Sequence, residues 1–409
     1  MAAKGWRVYN PEGERRVVVT KELPGDRWLE ILADAGARIE YGTETRILKV
    51  RDIRAAIGER CDGVIGQLTE NWGPALFAAL RKAGGTAYSN YAVGYDNVDI
   101  AAATEHQIPV GNTPGVLTEA TAEMTVALTL AAARQIPRAD AYMRGGKFEG
   151  WLPSLFVGEL LTRKTVGVIG TGRIGAAYAK MMIEAFKMNC FYYDINENPK
   201  LERYVREYSS LLKRHREPPV TVTRAESVDE VLVESDVVSL HPVLDEATHH
   251  LINAQRLLLM KEKAILVNAS RGPVIDEAAL VTHCRKNPGF KAGLDVYESE
   301  PKMKAGLAKL DNVVVVPHIA SATGWTREAM ATLAASNVAA LLQGWPVSND
   351  PSRILDFVEG ERPKAAPSIV NAAELGLPTI PRRSVRKVRA LERSALKRST
   401  FPPNPPGKP

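Results

Sequence analysis

Arg271 is the residue of this sequence whose position most clearly calls for a chemical explanation. It directly follows ILVNAS at 265–270, an apolar run that should form a buried strand. Arginine is almost never buried without a partner, so an anionic group is expected beside it. A planar guanidinium binds a carboxylate through two parallel hydrogen bonds, which makes the carboxylate of a small substrate one candidate.

His318 and Glu300 could supply acid–base chemistry at the same site. His318 follows the apolar run at 313–317, and Glu300 lies in DVYESEP at 295–301, an acidic turn after the preceding strand. Hydride reduction of a carbonyl creates an alkoxide, which needs a proton donor such as histidine. A neighbouring carboxylate favours the histidine cation. From the residues alone, Arg271 with Glu300 could equally be a structural ion pair, and His318 a core residue.

A glycine-rich segment, GTGRIG at 170–175, matches the G-x-G-x-x-G pattern of dinucleotide-binding folds. A clean apolar strand precedes it and a helical pattern follows, as that pattern requires. The free N–H groups at the start of the helix would then face the phosphates of a dinucleotide. The predicted cofactor-binding positions are Gly170, Gly172, Arg173, Ile174 and Gly175.

Asp194 ends the next apolar strand, 19 residues after Gly175. At that position a carboxylate can accept hydrogen bonds from ribose hydroxyls and repels a 2′-phosphate. The following residues, INENPK at 195–200, contain no arginine that would neutralise such a phosphate. The sequence therefore predicts NAD(H) rather than NADP(H). The alternative is that Asp194 only caps the next helix.

Two series of alternating strand and helix patterns must position these groups. The first runs from residue 16 to 112 and predicts a parallel α/β unit; the second, from 164 to 319, predicts a doubly wound sheet. We expect ligands beyond the carboxyl ends of the strands, in a cleft between domains. A long helix is predicted at 119–136, and an amphipathic helix at 326–344 that returns to the first domain.

Composition excludes several classes of protein. No apolar stretch approaches the roughly 18 residues of a membrane span, and the three cysteines are scattered without metal-ligand spacing, so no metal site is predicted and a reducing, intracellular compartment is expected. The net charge is +6, but residues 382–409 hold nine basic residues and one acidic, which leaves the remaining chain slightly acidic. We therefore expect a disordered basic tail at 380–409 and no nucleic-acid partner.

Five motifs together resemble the D-isomer-specific 2-hydroxyacid dehydrogenases, in order and in register. The resemblance implies two doubly wound parallel-sheet α/β domains: a Rossmann NAD-binding domain at 121–319, inserted into a flavodoxin-like substrate domain at 1–120 and 320–376. The spacing of Arg271, Glu300 and His318 matches the catalytic triad of that family. The motifs are GVIGTGRIG, HPVLDEATHHLIN, ILVNASRGPVIDEAALV, AGLDVYESEP and VVVVPHIASAT.

The resemblance also implies roles for individual positions. Val93 and Gly94 match a loop whose backbone amides bind the substrate carboxylate together with Arg271; a simple turn is the alternative. Asp295 matches a residue that faces the nicotinamide amide. Trp151 matches an aromatic residue that reaches the partner subunit's site, with core packing as the alternative, and the helix at 119–136 implies a homodimer. Further NAD-contacting positions are His241, Pro242, Ala269, Ser270 and Ser321.

A narrower resemblance, to plant members of the family, implies a 2-keto acid substrate and NADH. The predicted reactions are hydroxypyruvate to D-glycerate, as in photorespiration, and glyoxylate to glycolate. An NAD-sensing corepressor on the same scaffold is the alternative from another class, and a formate dehydrogenase is disfavoured because Glu300 stands where those relatives have Gln. Plant relatives end in Ser-Lys-Leu, a peroxisomal signal, whereas this sequence ends in GKP; the cytosol is therefore the expected compartment.

Overall fold

The computed structural model describes residues 5–360 and 362–381. The chain forms two compact units: Leu117–Thr326 is one, and the described residues up to Val116 and from Arg327 onward form the other. The predicted basic tail lies outside the described residues except for its first two positions. Both units have an α/β fold built on a doubly wound sheet, which confirms the predicted fold class.

The N-terminal part of the first unit contains six strands and four helices. The sheet order is β1-β3-β2-β4-β5-β6, and β1 alone runs antiparallel to its neighbour, β3. Neither of these two strands nor α2 was predicted. The elements are β1 Trp6–Tyr9, β2 Arg15–Val19, α1 Arg27–Asp34, β3 Ala37–Gly42, α2 Val50–Ile57, β4 Gly63–Gln67, α3 Pro74–Lys82, β5 Ala87–Tyr91, α4 Ile100–Glu105 and β6 Val110–Gly111.

Strand β3 escaped the prediction because one of its faces is charged. Its sequence, ARIEYG, alternates apolar residues with Arg38 and Glu40, so it lacks a continuous β-branched run. In the structure Glu40 accepts hydrogen bonds from Arg16 Nη2 at 2.6 Å and from Arg38 Nε at 3.0 Å. A half-buried strand shows period-2 alternation, and here the ion pairs on β2 and β3 occupy the solvated face.

The second unit is a seven-stranded sheet, entirely parallel, in the order β13-β12-β11-β10-β7-β8-β9. The chain builds β7, β8 and β9 outward in one direction and then β10 to β13 in the other. The elements are α5 Thr118–Ala133, α6 Ile136–Arg144, β7 Thr165–Ile169, α7 Arg173–Phe186, β8 Asn189–Tyr193, α8 Pro199–Arg214, β9 Val222–Arg224, α9 Val228–Glu234, β10 Val237–Leu240, α10 Ala254–Leu257, β11 Ile265–Asn268, α11 Glu277–Lys286, β12 Lys291–Leu294 and β13 Val313–Val315. The order reverses between β7 and β10, which is where such sheets bind their ligands.

The helix predicted at 119–136 is shorter in the structure. α5 ends at Ala133, and Gln135 adopts a left-handed backbone conformation with φ of 53°. Pro137 then lies in the first turn of α6. Proline fits the first turn of a helix but cannot continue one, so the apolar pattern is divided between two helices.

The last long helix, α12 Gly324–Leu342, was expected to be amphipathic, and this was wrong: residues 329–340 are all buried. Its small residues, mostly alanine, allow close packing on every side. Asn337 is also buried, and its amide donates to Ser89 Oγ at 3.3 Å and to the Asn112 carbonyl at 3.0 Å. Hydrogen bonds within the first unit therefore satisfy a polar residue in a buried helix. A short helix, α13 Ile354–Val358, follows.

No helix in the described part of the chain is both long and apolar enough to cross a bilayer. Within the same residues, histidine, cysteine, aspartate and glutamate side chains form no group of three or more that could hold a metal ion.

Candidate active site

The glycine loop between β7 and α7 has the geometry of a phosphate cradle. Gly170 has φ of +89°, and a Cβ there would lie 2.7 Å from the His241 backbone. A Cβ on Gly175 would lie 2.0 Å from the Gly170 carbonyl oxygen, so the helix and strand meet at contact distance. Gly172 has no atom within 4 Å of its Cβ position. Space therefore remains in front of the first N–H groups of α7, those of Arg173 and Ile174.

His241 supports this loop from the end of β10. Its Nε2 lies 2.9 Å from Ser239 Oγ, and its ring centroid lies 5.4 Å from that of Tyr178. Burial lowers the pKa of His241 to about 3, so the ring is neutral at physiological pH. Pro242, the next residue, is half-buried and also lies against Gly170.

Asp194 follows β8 and is tied to the glycine loop. Its Oδ2 accepts hydrogen bonds from the Thr171 N–H at 2.6 Å and from Thr171 Oγ1 at 3.2 Å. The N-cap of α8 is Asn198, whose Oδ1 accepts from the Leu201 N–H at 3.0 Å. The alternative in which Asp194 caps the next helix is therefore wrong. Thr171 and Asn198 were not singled out in the sequence, although Asn-Pro at 198–199 is a recognisable helix start.

Glu300 and His318 form a direct pair. His318 Nδ1 lies 2.9 Å from Glu300 Oε2, and the other carboxylate oxygen accepts from the Tyr297 N–H at 3.1 Å. Burial alone would raise the pKa of Glu300. The hydrogen bond and charge of His318, helped by the Tyr297 N–H and the charge of Arg271, outweigh burial and leave that pKa below its usual value. The carboxyl group is therefore ionised at neutral pH.

The turn after β11, which carries Arg271, packs tightly against the turn after β12, which leads to Glu300. A Cβ on Gly272 would lie 1.9 Å from the Tyr297 carbonyl carbon and oxygen, so only glycine fits at this contact. Arg271 Nη1 donates to the Ser270 carbonyl at 2.9 Å. The charge of Arg271 acts to lower the pKa of Glu300, and the catalytic roles of Arg271, Glu300 and His318 stay a prediction.

Asn268 holds the turn that carries Arg271, and the sequence analysis missed it. This buried residue ends β11; its amide donates to the Arg271 carbonyl at 2.8 Å. Its Oδ1 accepts from both the N–H and Oγ of Ser270, at 3.0 and 2.8 Å. Ala269, between them, is buried. An asparagine at the end of an otherwise apolar strand is the signal that could have identified this residue, because a buried amide needs partners.

Asp295 fixes the backbone on which His318 lies. His318 has φ of 52°, a left-handed conformation that is uncommon for a residue with a side chain. Its N–H donates to the Asp295 carbonyl at 2.9 Å. The fully buried Asp295 carboxylate accepts from the Ile319 N–H at 2.6 Å and the Ala320 N–H at 2.9 Å. Burial raises the pKa of Asp295, while those two N–H groups and the His318 charge act in the opposite direction.

These contacts predict that Asp295→Asn lowers kcat by about tenfold, because an amide cannot accept both hydrogen bonds and His318 loses its fixed orientation. The affinity for NADH, measured by fluorescence titration, should stay within about twofold. A large loss of NADH affinity with unchanged kcat would instead favour the nicotinamide contact that the family resemblance implies.

The loop with Val93 and Gly94, in the first unit, is held through its carbonyl groups. Asn112 Nδ2 donates to the Val93 carbonyl at 2.8 Å, and Asn90 Nδ2 donates to the Gly94 carbonyl at 3.0 Å. Within residues 5–360 and 362–381, the N–H groups of Val93 and Gly94 donate no hydrogen bond. They are therefore available to an anion. Asn97, whose amide donates to the carbonyls of the turn after β4, braces the same loop.

Two further predicted positions lie in loops of the second unit. Ser321 is half-buried and follows the segment held by Asp295. Trp151 is 81% exposed, so the alternative in which it packs in the core is wrong.

The chain is similar to several known proteins. A family model described as "D-isomer specific 2-hydroxyacid dehydrogenase, NAD binding domain" matches residues 126–320. "Glycerate dehydrogenase HPR, peroxisomal" of Arabidopsis thaliana is 59% identical over 91% of this chain and 97% of its own length. "Glyoxylate reductase" of Thermococcus litoralis is 42% identical over 72% of this chain and 82% of its own length. The crystal structure of the TT0316 protein from Thermus thermophilus has a TM-score of 0.72 and 36% identity, covering 87% of this chain and 99% of that one.

Proposed function

Because this chain belongs to the D-isomer-specific 2-hydroxyacid dehydrogenases, we propose that it reduces hydroxypyruvate to D-glycerate with NADH, and glyoxylate to glycolate. The chain is an NAD-dependent oxidoreductase. Its relatives include one named glycerate dehydrogenase and one named glyoxylate reductase, and neither supports the corepressor alternative. The observation that carries the proposal is the contact of 2.9 Å between His318 Nδ1 and Glu300 Oε2, in electrostatic range of Arg271.

His318 acts as the proton donor in this proposal. Because its Nδ1 is held by Glu300, the proton for the substrate oxygen is carried on Nε2. The ionised carboxylate of Glu300 stabilises the imidazolium and fixes the plane of the ring. The donor is thus oriented before the substrate binds.

Two sets of groups are proposed to bind the carboxylate of the keto acid. The Arg271 guanidinium pairs with it and polarises the carbonyl oxygen, and the N–H groups of Val93 and Gly94 donate to it. The positive charge of Arg271 also stabilises the negative charge that develops on the carbonyl oxygen during reduction. The backbone that carries these groups is held in place. The Asn268 amide, for example, donates to the Arg271 carbonyl.

The coenzyme, when bound, supplies the hydride for the carbonyl carbon. The glycine loop leaves N–H groups of α7 open to its pyrophosphate, and Asp194 accepts hydrogen bonds from its adenosine ribose. The remaining proposed contacts stay predictions: His241, Pro242, Ala269, Ser270, Asp295 and Ser321.

The decisive experiment is NADH oxidation by the purified full chain against hydroxypyruvate, glyoxylate and pyruvate. We expect turnover of the first two, with only the D-isomer of glycerate as product. Tight NADH binding without turnover of either acid would contradict the proposal and favour a coenzyme-sensing protein.

The pH dependence tests the role of Glu300. We expect the kcat/KM of keto-acid reduction to fall as the pH rises, because the reaction consumes a proton that the donor must carry. In Glu300→Gln the neutral amide no longer stabilises the imidazolium, so this fall in rate should move to lower pH. Rates measured from pH 5 to 10 with both enzymes provide the comparison. An unchanged profile would remove Glu300 from the mechanism.

We also propose that the chain forms a homodimer through the region of α5. The exposed apolar residues of the second unit that support this are concentrated near α6 and the following loop: Ile136, Met143, Phe148, Trp151, Leu152, Val157 and Leu160. Light scattering should give about twice the chain mass of 44.6 kDa, and Trp151→Asp combined with Leu152→Asp should shift the mass toward that of the monomer. A monomeric wild-type chain would contradict the dimer.

The compartment remains a proposal. The Arabidopsis relative is peroxisomal according to its name, whereas the sequence analysis favoured the cytosol. Imaging of the full chain with a fluorescent protein at its N-terminus, beside a peroxisomal marker, distinguishes the two.

A further inference from the structure

Glu277, the first residue of α11, is a charged residue that the fold buries: it is only 4% exposed. Both of its carboxylate oxygens accept backbone hydrogen bonds. Oε2 accepts from the Glu298 N–H at 2.9 Å, and Oε1 from the Lys304 N–H at 2.7 Å. These two N–H groups are at the ends of the segment 298–304, which we call the Glu300 turn because it carries that residue. One buried side chain therefore holds both ends of the turn.

The Glu300 turn cannot be fixed by burial, because it lies on the surface. Tyr297 precedes it and is buried, and Leu307 is the next buried residue along the chain. Residues 299–305 are all exposed. A segment that buries few apolar groups opens at low free-energy cost unless hydrogen bonds hold its backbone. The bonds to Glu277 join this exposed segment to the core of the second unit.

Glu298 completes the attachment from the side of the turn. Its Oε2 accepts from the Glu277 N–H at 3.2 Å, so the two glutamates exchange backbone-to-carboxylate hydrogen bonds. The N–H groups in the first turn of a helix have no partner within the helix, and this bond satisfies one of them in α11. His250 contacts the other oxygen of Glu298. That contact reaches only the side chain and is separate from the backbone attachment.

We propose that Glu277 is a positioning residue, which keeps Glu300 against His318 by attaching the Glu300 turn to α11. Glu300 Oε1 accepts from the Tyr297 N–H, and Oε2 lies 2.9 Å from His318 Nδ1. Displacement of the turn would break the second contact, and a misplacement of about 1 Å can cost about 10²-fold in rate. The inference rests on the proposed function, in which the Glu300–His318 pair acts on the keto acid.

Glu277→Gln is the first test. Glutamine can accept through one atom only, so its NH₂ group would face a backbone N–H and release one end of the turn. We expect kcat/KM for hydroxypyruvate to fall about tenfold, and its decline with pH to move to lower pH, as in Glu300→Gln. The affinity for NADH should stay within about twofold. Asp236→Asn is the control and should keep the wild-type rate, because the Asp236 carboxylate accepts from the Thr165 N–H at the other edge of the sheet.

Lys304 allows a test that leaves the buried glutamate intact. Its side chain is exposed, and its N–H makes the bond of 2.7 Å. Proline has no N–H, so Lys304→Pro should reproduce the lower kcat/KM and the shifted pH profile of Glu277→Gln. Lys304→Ala keeps the N–H and should match wild type. Equal losses in the two Lys304 variants would overturn the proposal.

A double-mutant cycle separates positioning of Glu300 from a general structural role. If Glu277 acts through Glu300, then Glu277→Gln should cost less than about twofold in kcat/KM when Glu300 is already replaced by glutamine. Losses that simply multiply would overturn the proposal, because Glu277 would then act on something other than Glu300.

Proton NMR tests the contact without turnover, so that failure of this inference is distinct from failure of the proposed function. The imidazole N–H proton between His318 and Glu300 is identified by its absence in His318→Asn. In Glu277→Gln and Lys304→Pro it should exchange with water about tenfold faster, since the turn opens more often. An unchanged exchange rate would overturn the proposal. Faster exchange with a wild-type kcat/KM would uphold the positioning of Glu300 and contradict the proposed role of the pair.

Discussion

Replacing His318 with asparagine is expected to lower kcat for hydroxypyruvate reduction by about 10²–10⁴-fold, the usual contribution of a positioned general acid. The variant keeps a polar side chain of similar size but has no group that can donate a proton at neutral pH. Its left-handed backbone conformation is also tolerated well by asparagine. The affinity for NADH should stay within about twofold, since His318 is proposed to act on the keto acid.

The measurement pairs steady-state rates with an NADH titration, so that loss of chemistry is separated from loss of coenzyme. His250→Asn is the control, because His250 is also half-buried, contacts a glutamate in the same unit (Nε2 to Glu298 Oε1, 3.3 Å) and is outside the proposed mechanism. The control should retain the wild-type rate. Equal losses in the two variants would mean that the His318 effect is structural.

Arg271→Lys is expected to lower kcat/KM for both keto acids by about 10²–10³-fold despite conserving the charge. Lysine lacks the planar fork that binds a carboxylate through two hydrogen bonds. It also cannot reproduce the Nη1 contact to the Ser270 carbonyl that orients the side chain. Both KM and kcat should change, since the group is proposed to hold the ground-state carboxylate and to stabilise the developing alkoxide.

Arg256→Lys is a suitable control for this substitution. Arg256 lies in the same unit and donates to Asp229 at 2.7 Å and to the Leu251 carbonyl at 2.8 Å, outside the site. The Arg256→Lys variant should lose some stability and no activity. If Arg271→Lys retained wild-type kcat/KM, carboxylate recognition would have to be reassigned to other groups, with the Val93 and Gly94 amides as the first candidates.

Local patterns were sufficient for part of this protein. The glycine loop was predictable because all of its requirements are contained in six consecutive residues between a strand and a helix. The alternation of apolar strands with helices fixed the α/β class for the same reason, since burial of a parallel sheet on both faces produces continuous apolar runs. Two elements were missed or misjudged. Strand β3 was missed because one of its faces is charged, and α12 was expected to be amphipathic although residues 329–340 are all buried.

The proposed catalytic triad is an intermediate case. Its residue types and spacing, together with the family resemblance, predicted Arg271, Glu300 and His318. The residues that hold the three side chains in place were not identified as positioning residues, because the groups they contact are distant in the chain. Asp295 is 24 and 25 residues from the N–H groups that it accepts from, and Gly272 touches the Tyr297 backbone.

The sequence by itself therefore determined the fold class and predicted the coenzyme loop and the reacting groups, since each depends on residue type and short-range order. Only the tertiary structure decided which buried polar groups satisfy one another. The physical reason is that strand order determines these contacts: parallel strands bring their carboxyl ends to one edge of the sheet, and which ends become neighbours depends on the packing of the whole unit.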